Sequence, residues 1–268
     1  MLVKINYLSQ ILDEQVTFHA ILPEPRIMKI YESGEPVTKD LPVLYLLHGY
    51  RGGPSDWQRK TGVEQFLHEA MKHMIIIIPG GYNFWYTNMV QGKRYFDLIA
   101  DELPRVVQSY FHVSQKKEDT YVAGLSMGGY GAMKLALTYP ERYGYAASFS
   151  GAVDPFAMKE LDDIVDPKML DMRLAMEKEQ DWIFGPKEGR AGSANDTMAL
   201  LDKIDPAVCP KLYVSCGTQD DLYEGNCAFR DKALAKGVDI TFYEQGSTGH
   251  EWRFWNAEIE KVIKHWLP

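Results

Sequence analysis

A mostly parallel, doubly wound α/β sheet with helices on both faces is the fold class this sequence predicts. Two observations predict it. Short apolar runs alternate with amphipathic stretches, the signature of β-strands joined by helical crossovers. Several of those runs also lack polar alternation, as strands covered on both faces do. At 268 residues the chain suits one large domain over 1–268 better than two small ones.

The elements follow in order. Leu2–Leu8 and Gln15–Leu22 read as two early strands at a sheet edge, with loops marked by Pro23-Glu24-Pro25 and Gly34-Glu35-Pro36. Further strands are expected at Val43–Leu47, Met74–Ile78, Thr120–Ala123, Ala146–Phe149, Lys211–Cys216 and Asp239–Tyr243. Between them lie helical patterns at Val63–Lys72 and Tyr95–Tyr110. The second sets Phe96, Ile99, Leu103, Val106 and Tyr110 on one face at spacings of three and four. Gly129–Tyr139 is stopped by Pro140, Asn226–Lys236 ends at Gly237, and Glu251–Leu267 closes the chain.

One segment breaks the alternation. Residues 154–206 carry no strand pattern and hold Met158, Met169, Met172 and Met176 with Gly185-Pro186. A connection this long exceeds what joining two strands needs. It reads as a small helical cap inserted over the strand ends, with ordinary surface helices as the alternative.

Composition narrows the function classes. Lys+Arg 29 against Asp+Glu 37 gives a net charge of −8 with no cationic run, which disfavours nucleic-acid partners. Three scattered cysteines (Cys209, Cys216, Cys227) make no disulfide scaffold. The longest greasy stretch, Met74–Ile78, is far too short to cross a bilayer, and MLVKINYLSQ is no secretory leader. A cytoplasmic protein without membrane partners is the expectation. Homo-oligomer assembly is left open.

The sharpest motif is Gly124-Leu125-Ser126-Met127-Gly128, directly after one strand and directly before a helix. A nucleophile on so tight a turn needs glycines two residues to either side, where side chains would collide. A serine hydroxyl is a poor nucleophile alone, so a base and an orienting acid are required. Downstream of Ser126 only His250 and His265 remain. His250, in the polar loop Gly246–Trp252, is the expected base; His265 sits in the terminal helix. The acid is expected after the strand ending at Cys216, at Asp220 or Asp221. Asp220 fits better, and Asp221 suits a helix start or a solvated site. An oxyanion hole should use the backbone N–H groups of Met127 and Tyr50. Neighbouring His48 precedes the serine and reads as structural.

Other signals fail. His68 and His73 stand five positions apart where a zinc H-E-x-x-H pair needs four, and no phosphate-cradling glycine loop is present. Cys216 reads as a core thiol. Trp57, Trp85, Tyr86 and Trp252 fall on loops expected to rim the site, as pocket wall or as core packing.

Together His48-Gly49, Asp56-Trp57, Trp85-Tyr86, Gly124–Gly129, Cys216–Asp220 with Leu222-Tyr223, and Gly249-His250-Glu251-Trp252 resemble the esterase D-like branch of α/β-hydrolases. The resemblance runs from about Val3 to Trp266. That branch includes tributyrin-type short-chain carboxylesterases, to which this chain is most similar. It also includes S-formylglutathione hydrolases, feruloyl and acetylxylan esterases, and mycolyltransferases. The resemblance implies the α/β-hydrolase fold, with Ser126 as nucleophile, Asp220 as acid and His250 as base. Met127 and Tyr50 match the oxyanion-hole positions. S-formylglutathione hydrolases usually lack the His-Gly pair, so His48 tilts away from them.

The resulting expectation is a serine carboxylesterase acting on a small-molecule, short-chain acyl ester through an acyl-serine, with no metal or organic cofactor implied. A non-catalytic binder on the same fold would usually lack a member of the set, and none is missing. Acyl transfer to an alcohol or thiol shares the same intermediate and is the competing reading.

Overall fold

A computed structural model describes residues 1–24, 40–157 and 167–268. The chain opens with an antiparallel pair, β1 (Leu2–Ser9) and β2 (Glu14–Ile21). Next come β3 (Val43–Leu47), the short helices α1 (Asp56–Lys60) and α2 (Val63–Glu69), and β4 (Ile75–Pro79). A helical stretch begins at Tyr95–Asp97, passes a π turn at Leu98–Glu102 and continues as α3 (Leu103–Phe111). Then follow β5 (Thr120–Leu125), α4 (Met127–Thr138) and β6 (Tyr145–Phe149). Two helices, α5 (Pro167–Phe184) and α6 (Thr197–Lys203), precede β7 (Lys211–Gly217). The chain closes with α7 (Tyr223–Lys236), β8 (Ile240–Gln245), α8 (Trp252–Lys261) and a π turn at Val262–Trp266.

All eight strands join one sheet in the order β1-β2-β4-β3-β5-β6-β7-β8. From β4 to β8 every pairing is parallel, and β2 meets β4 antiparallel. The unbroken apolar runs of β3 and β4 now have their reason. Val43, Tyr45, Ile75 and Ile77 pack into the core layer that includes α3 and α4. Leu44, Leu46, Ile76 and Ile78 pack into the opposite layer, with residues of α2 and α8. Burying both faces removes any polar alternation.

Helix α4 is the spine of the first layer: every residue from Met127 to Leu137 is buried. Between β6 and β7 the described part of the insertion is helical, with α5 and α6 and no strand. The loop signals at Pro25, Gly34 and Pro36, and Met158 of the methionine group, lie outside the described residues. No helix among the described residues is long and apolar enough to cross a membrane.

Candidate active site

Strand β5 delivers Ser126 in a conformation that L-residues rarely adopt, φ 54° and ψ −119°. Three backbone hydrogen bonds hold it there. Its N–H donates to Phe149 O (2.9 Å), and its carbonyl accepts from Tyr130 N (3.1 Å) and Ala152 N (3.1 Å). Backbone strain of this kind persists only when the surroundings over-determine it. The flanking glycines are a packing necessity. A Cβ on Gly124 would lie 2.4 Å from the Gly128 carbonyl, and one on Gly128 would lie 2.5 Å from Leu47 O on β3.

Opposite the serine, His250 Nε2 lies 3.0 Å from Ser126 Oγ. His250 Nδ1 lies 2.9 Å from Asp220 Oδ2. Asp220 is itself fixed, since its Oδ1 accepts from Leu222 N at 3.0 Å. Burial pushes the Asp220 carboxyl up, but the adjacent His250 and the Leu222 amide outweigh it and hold the group below its ordinary value. An ionised acid behind the imidazole favours the tautomer protonated at Nδ1, whose Nε2 turns its lone pair toward Ser126 Oγ. Asp221 stands on the same loop, partly exposed, and the bond to Nδ1 is made by Asp220.

Acid and base loops are joined directly. Gln219 N donates to Thr248 O (2.9 Å) and Thr218 N to Gln245 O (3.0 Å). The backbones come so close that a Cβ on Gly217 would sit 2.1 Å from Thr248 O. Fixing both loops to each other sets the His250–Asp220 distance without relying on either side chain's rotamer alone.

The loop after β3 carries Tyr50. No described protein acceptor engages the Tyr50 N–H, and Met127 N–H is a first-turn amide without an intrahelical partner. His48 braces this loop and stays apart from the serine's bonding partners. Its Nδ1 bonds Gly49 O (2.8 Å) and its Nε2 accepts from Gly81 N (2.8 Å). The backbone donor at Nε2 requires the neutral Nδ1–H tautomer, and complete burial lowers the ring's pKa. His265 is exposed in the terminal turn.

Three of the four expected rim aromatics belong to the interior instead. Trp57 is fully buried, its Nε1–H donating to Leu47 O (3.0 Å). Trp85 packs between Tyr130 and Phe184 (5.5 and 5.6 Å between centroids), and Tyr86 donates its hydroxyl to His48 O (2.9 Å). Both stand at positive φ, 55° and 47°. Trp252 is half-buried and belongs to an edge-to-face ladder. Phe149, Trp57, Trp252 and Trp255 follow at 6.1, 5.6 and 5.1 Å, and Trp255 meets the His250 ring at 4.8 Å. The ladder buttresses the imidazole from behind.

Sequence reasoning missed a polar network on the back of α4. Lys134, two turns beyond the serine and buried, bonds Thr87 Oγ1 (2.9 Å) and Asn195 Oδ1 (2.7 Å). Tyr130 donates to Asn195 O (2.9 Å). The one available signal was a lysine in the otherwise apolar Met133–Leu137. Asn226 was missed too; it is fully buried and donates to Gly151 O and Leu222 O, both at 2.8 Å.

A parallel sheet of this order, with a strained serine at its carboxyl end, defines a serine hydrolase of the α/β-hydrolase type. The model of the family described as "Putative esterase" matches residues 9–265, and the chain belongs to that family. An acetyl esterase of Caldicellulosiruptor saccharolyticus is 30% identical over 99% of this chain and 97% of its own length. Among solved structures, a substrate-bound fluorophosphonate-binding serine hydrolase of Staphylococcus aureus superposes with a TM-score of 0.83 at 29% identity. That match covers 100% of this chain and 98% of the other. An S-formylglutathione hydrolase of the same organism reaches 0.80 at 29% identity, over the same shares. The chain is a carboxylic ester hydrolase of the serine type, in agreement with the esterase D-like resemblance of its motifs.

Proposed function

We propose that this enzyme hydrolyses short-chain acyl esters, acetyl esters foremost, with Ser126 as nucleophile, His250 as general base and Asp220 as the orienting acid. The observation that carries the roles is the unbroken relay from Ser126 Oγ through His250 to Asp220, at 3.0 and 2.9 Å. Ser126 Oγ attacks the ester carbonyl carbon while His250 Nε2 takes the hydroxyl proton. The carbonyl oxygen gains negative charge and is met by the Met127 and Tyr50 amides. His250 then gives its proton to the leaving alcohol oxygen as that C–O bond breaks. Water, deprotonated by the same nitrogen, releases the acid from the acyl-serine.

Two observations support the short acyl group: the acetyl esterase relative and the enclosure of Ser126, only 7% exposed. The S-formylglutathione hydrolase neighbour keeps the formyl thioester in view despite His48. We place the enzyme in the cytoplasm, since its three cysteines are free thiols, as a reducing compartment keeps them.

The test is initial rates on 4-nitrophenyl acetate, butyrate and octanoate, methyl ferulate and S-formylglutathione, with wild type and Ser126→Ala. Fastest turnover on acetate, abolished in the variant, is expected. Octanoate faster than acetate would overturn the acyl assignment. S-formylglutathione outrunning every ester would transfer the enzyme to that neighbour's class. Added alcohols that capture the acyl group faster than water would make it a transferase.

A further inference from the structure

At the end of the sheet remote from Ser126, a half-open cleft of about 300 Å³ lies between the starts of β3 and β5 and the flank of α3. Thr120 lines it at the first position of β5, whereas Ser126 follows the last. The length of that strand, about 17 Å at the usual rise per residue, separates the two. A single small ester cannot occupy both. The cleft is the size of a small-ligand site.

Its walls are made for hydrogen bonding. Tyr45 and Tyr143 both line it and are each only 3% exposed, yet neither hydroxyl bonds to a described residue. Burial, and for Tyr45 the neighbouring phenol, raise both pKa values, so both stay neutral and offer a donor and an acceptor. Arg142 is held rigidly on Ala100 O (3.0 Å) and Asp101 Oδ1 (3.1 Å), with its guanidinium 3.9 Å from the Tyr139 ring centroid. Arg105 stands exposed at the mouth, and its guanidinium has no partner among the described residues.

The charge balance selects the ligand. Arg105 and Arg142 face Asp101 and Glu141, two cations against two carboxylates, so the cleft has no net field for a phosphate or a carboxylate. Planar forked groups (Arg105, Asp101, Gln108) suit paired vicinal hydroxyls, and Val43, Pro104 and Val113 offer apolar surface for C–H faces.

We propose that this cleft is a second binding site, independent of catalysis, for a neutral polyhydroxylated ligand of one or two sugar rings.

The test uses cellobiose and glucose as probes and inorganic phosphate as control, followed by calorimetry and ligand-observed NMR. Wild type should bind cellobiose, and binding should persist after Ser126 is blocked with a fluorophosphonate. Tyr45→Phe with Tyr143→Phe removes only two oxygens and should weaken binding at least about tenfold, a lost hydrogen bond of ordinary strength or more. Turnover of 4-nitrophenyl acetate should not change. Two rim variants, Arg105→Ala at an exposed position and Gln108→Ala at a half-buried one, should weaken binding as well. Four outcomes would overturn the proposal. They are binding of neither cellobiose nor glucose, binding lost with the serine block, binding indifferent to all four substitutions, or phosphate binding in place of the sugars.

Discussion

The turn at Ser126 and the insertion helix α5 both touch the loop after β3 and are held to it by different means. Around Ser126 everything is buried backbone: three main-chain hydrogen bonds, two obligatory glycines and a helix sunk in the core. Helix α5 reaches the loop after β3 through side chains at the surface. Arg51 pairs with Asp171 at 2.7 Å, with side chains 49% and 71% exposed, and Tyr50 Oη donates to Glu179 at 3.3 Å. Exposed pairs contribute little because water and salt compete for both ends. Only this outer stretch of α5 is lightly fastened, since at its C-terminal end Ile183 and Phe184 are buried in the core and Val90 N donates to Ile183 O at 3.2 Å.

The largest losses are expected at Ser126 and Asp220. Ser126→Ala should lower kcat by about 10⁶-fold, because the acyl-serine cannot form. Asp220→Asn should lower it by about 10⁴-fold at neutral pH with little change in KM, since the amide favours the wrong imidazole tautomer. Steady-state kinetics check both, and a loss under tenfold in either would show that the relay is not the catalytic one.

Gly124→Ala tests packing rather than chemistry. With its Cβ forced onto the Gly128 carbonyl, it should destabilise the fold by about 3 kcal/mol, measured by urea unfolding. An unchanged midpoint would mean that the turn yields more than its contacts suggest.

Lys134 fastens Asn195 of the insertion to α4. Burial pushes its pKa down from 10.5 to about 7. Between those values the unfolded chain holds a proton that the folded chain has released. Stability should therefore rise with pH across that window, by about 1 kcal/mol per unit, and this contribution is least favourable below pH 7. Lys134→Met should flatten the rise relative to wild type. The smallest effect is expected at the exposed pair. Arg51→Ala should leave the thermal midpoint unchanged within error and shift KM without touching kcat, so a fall in kcat would make α5 part of the catalytic machinery.

Ser126, Asp220 and His250 were legible because each belongs to a short local pattern. The serine is flanked by glycines between strand and helix. The aspartate follows a strand end, and the histidine lies in a polar loop before the last helix. The parallel sheet was legible for a similar reason: apolar runs such as Ile75–Ile78 without alternation imply cover on both faces. Helix α1 was not read, because five residues carry too little periodicity to register. The loop aromatics left two readings open, because a ring after a strand looks the same whether it turns outward or in; packing against Tyr130 and Phe184, and the bond to His48 O, bury Trp85 and Tyr86.

By itself, then, the sequence determined the strand-and-helix order, the nucleophile turn and the identities of the residues at the relay, all properties of stretches a few residues long. Only the tertiary structure decided that the tryptophans form a ladder behind His250, that Lys134 grips Asn195, and that a polar cleft opens at the far end of the sheet. Those features join segments tens of residues apart. Their contacts come from which faces the packed layers press together, and no local spacing encodes that.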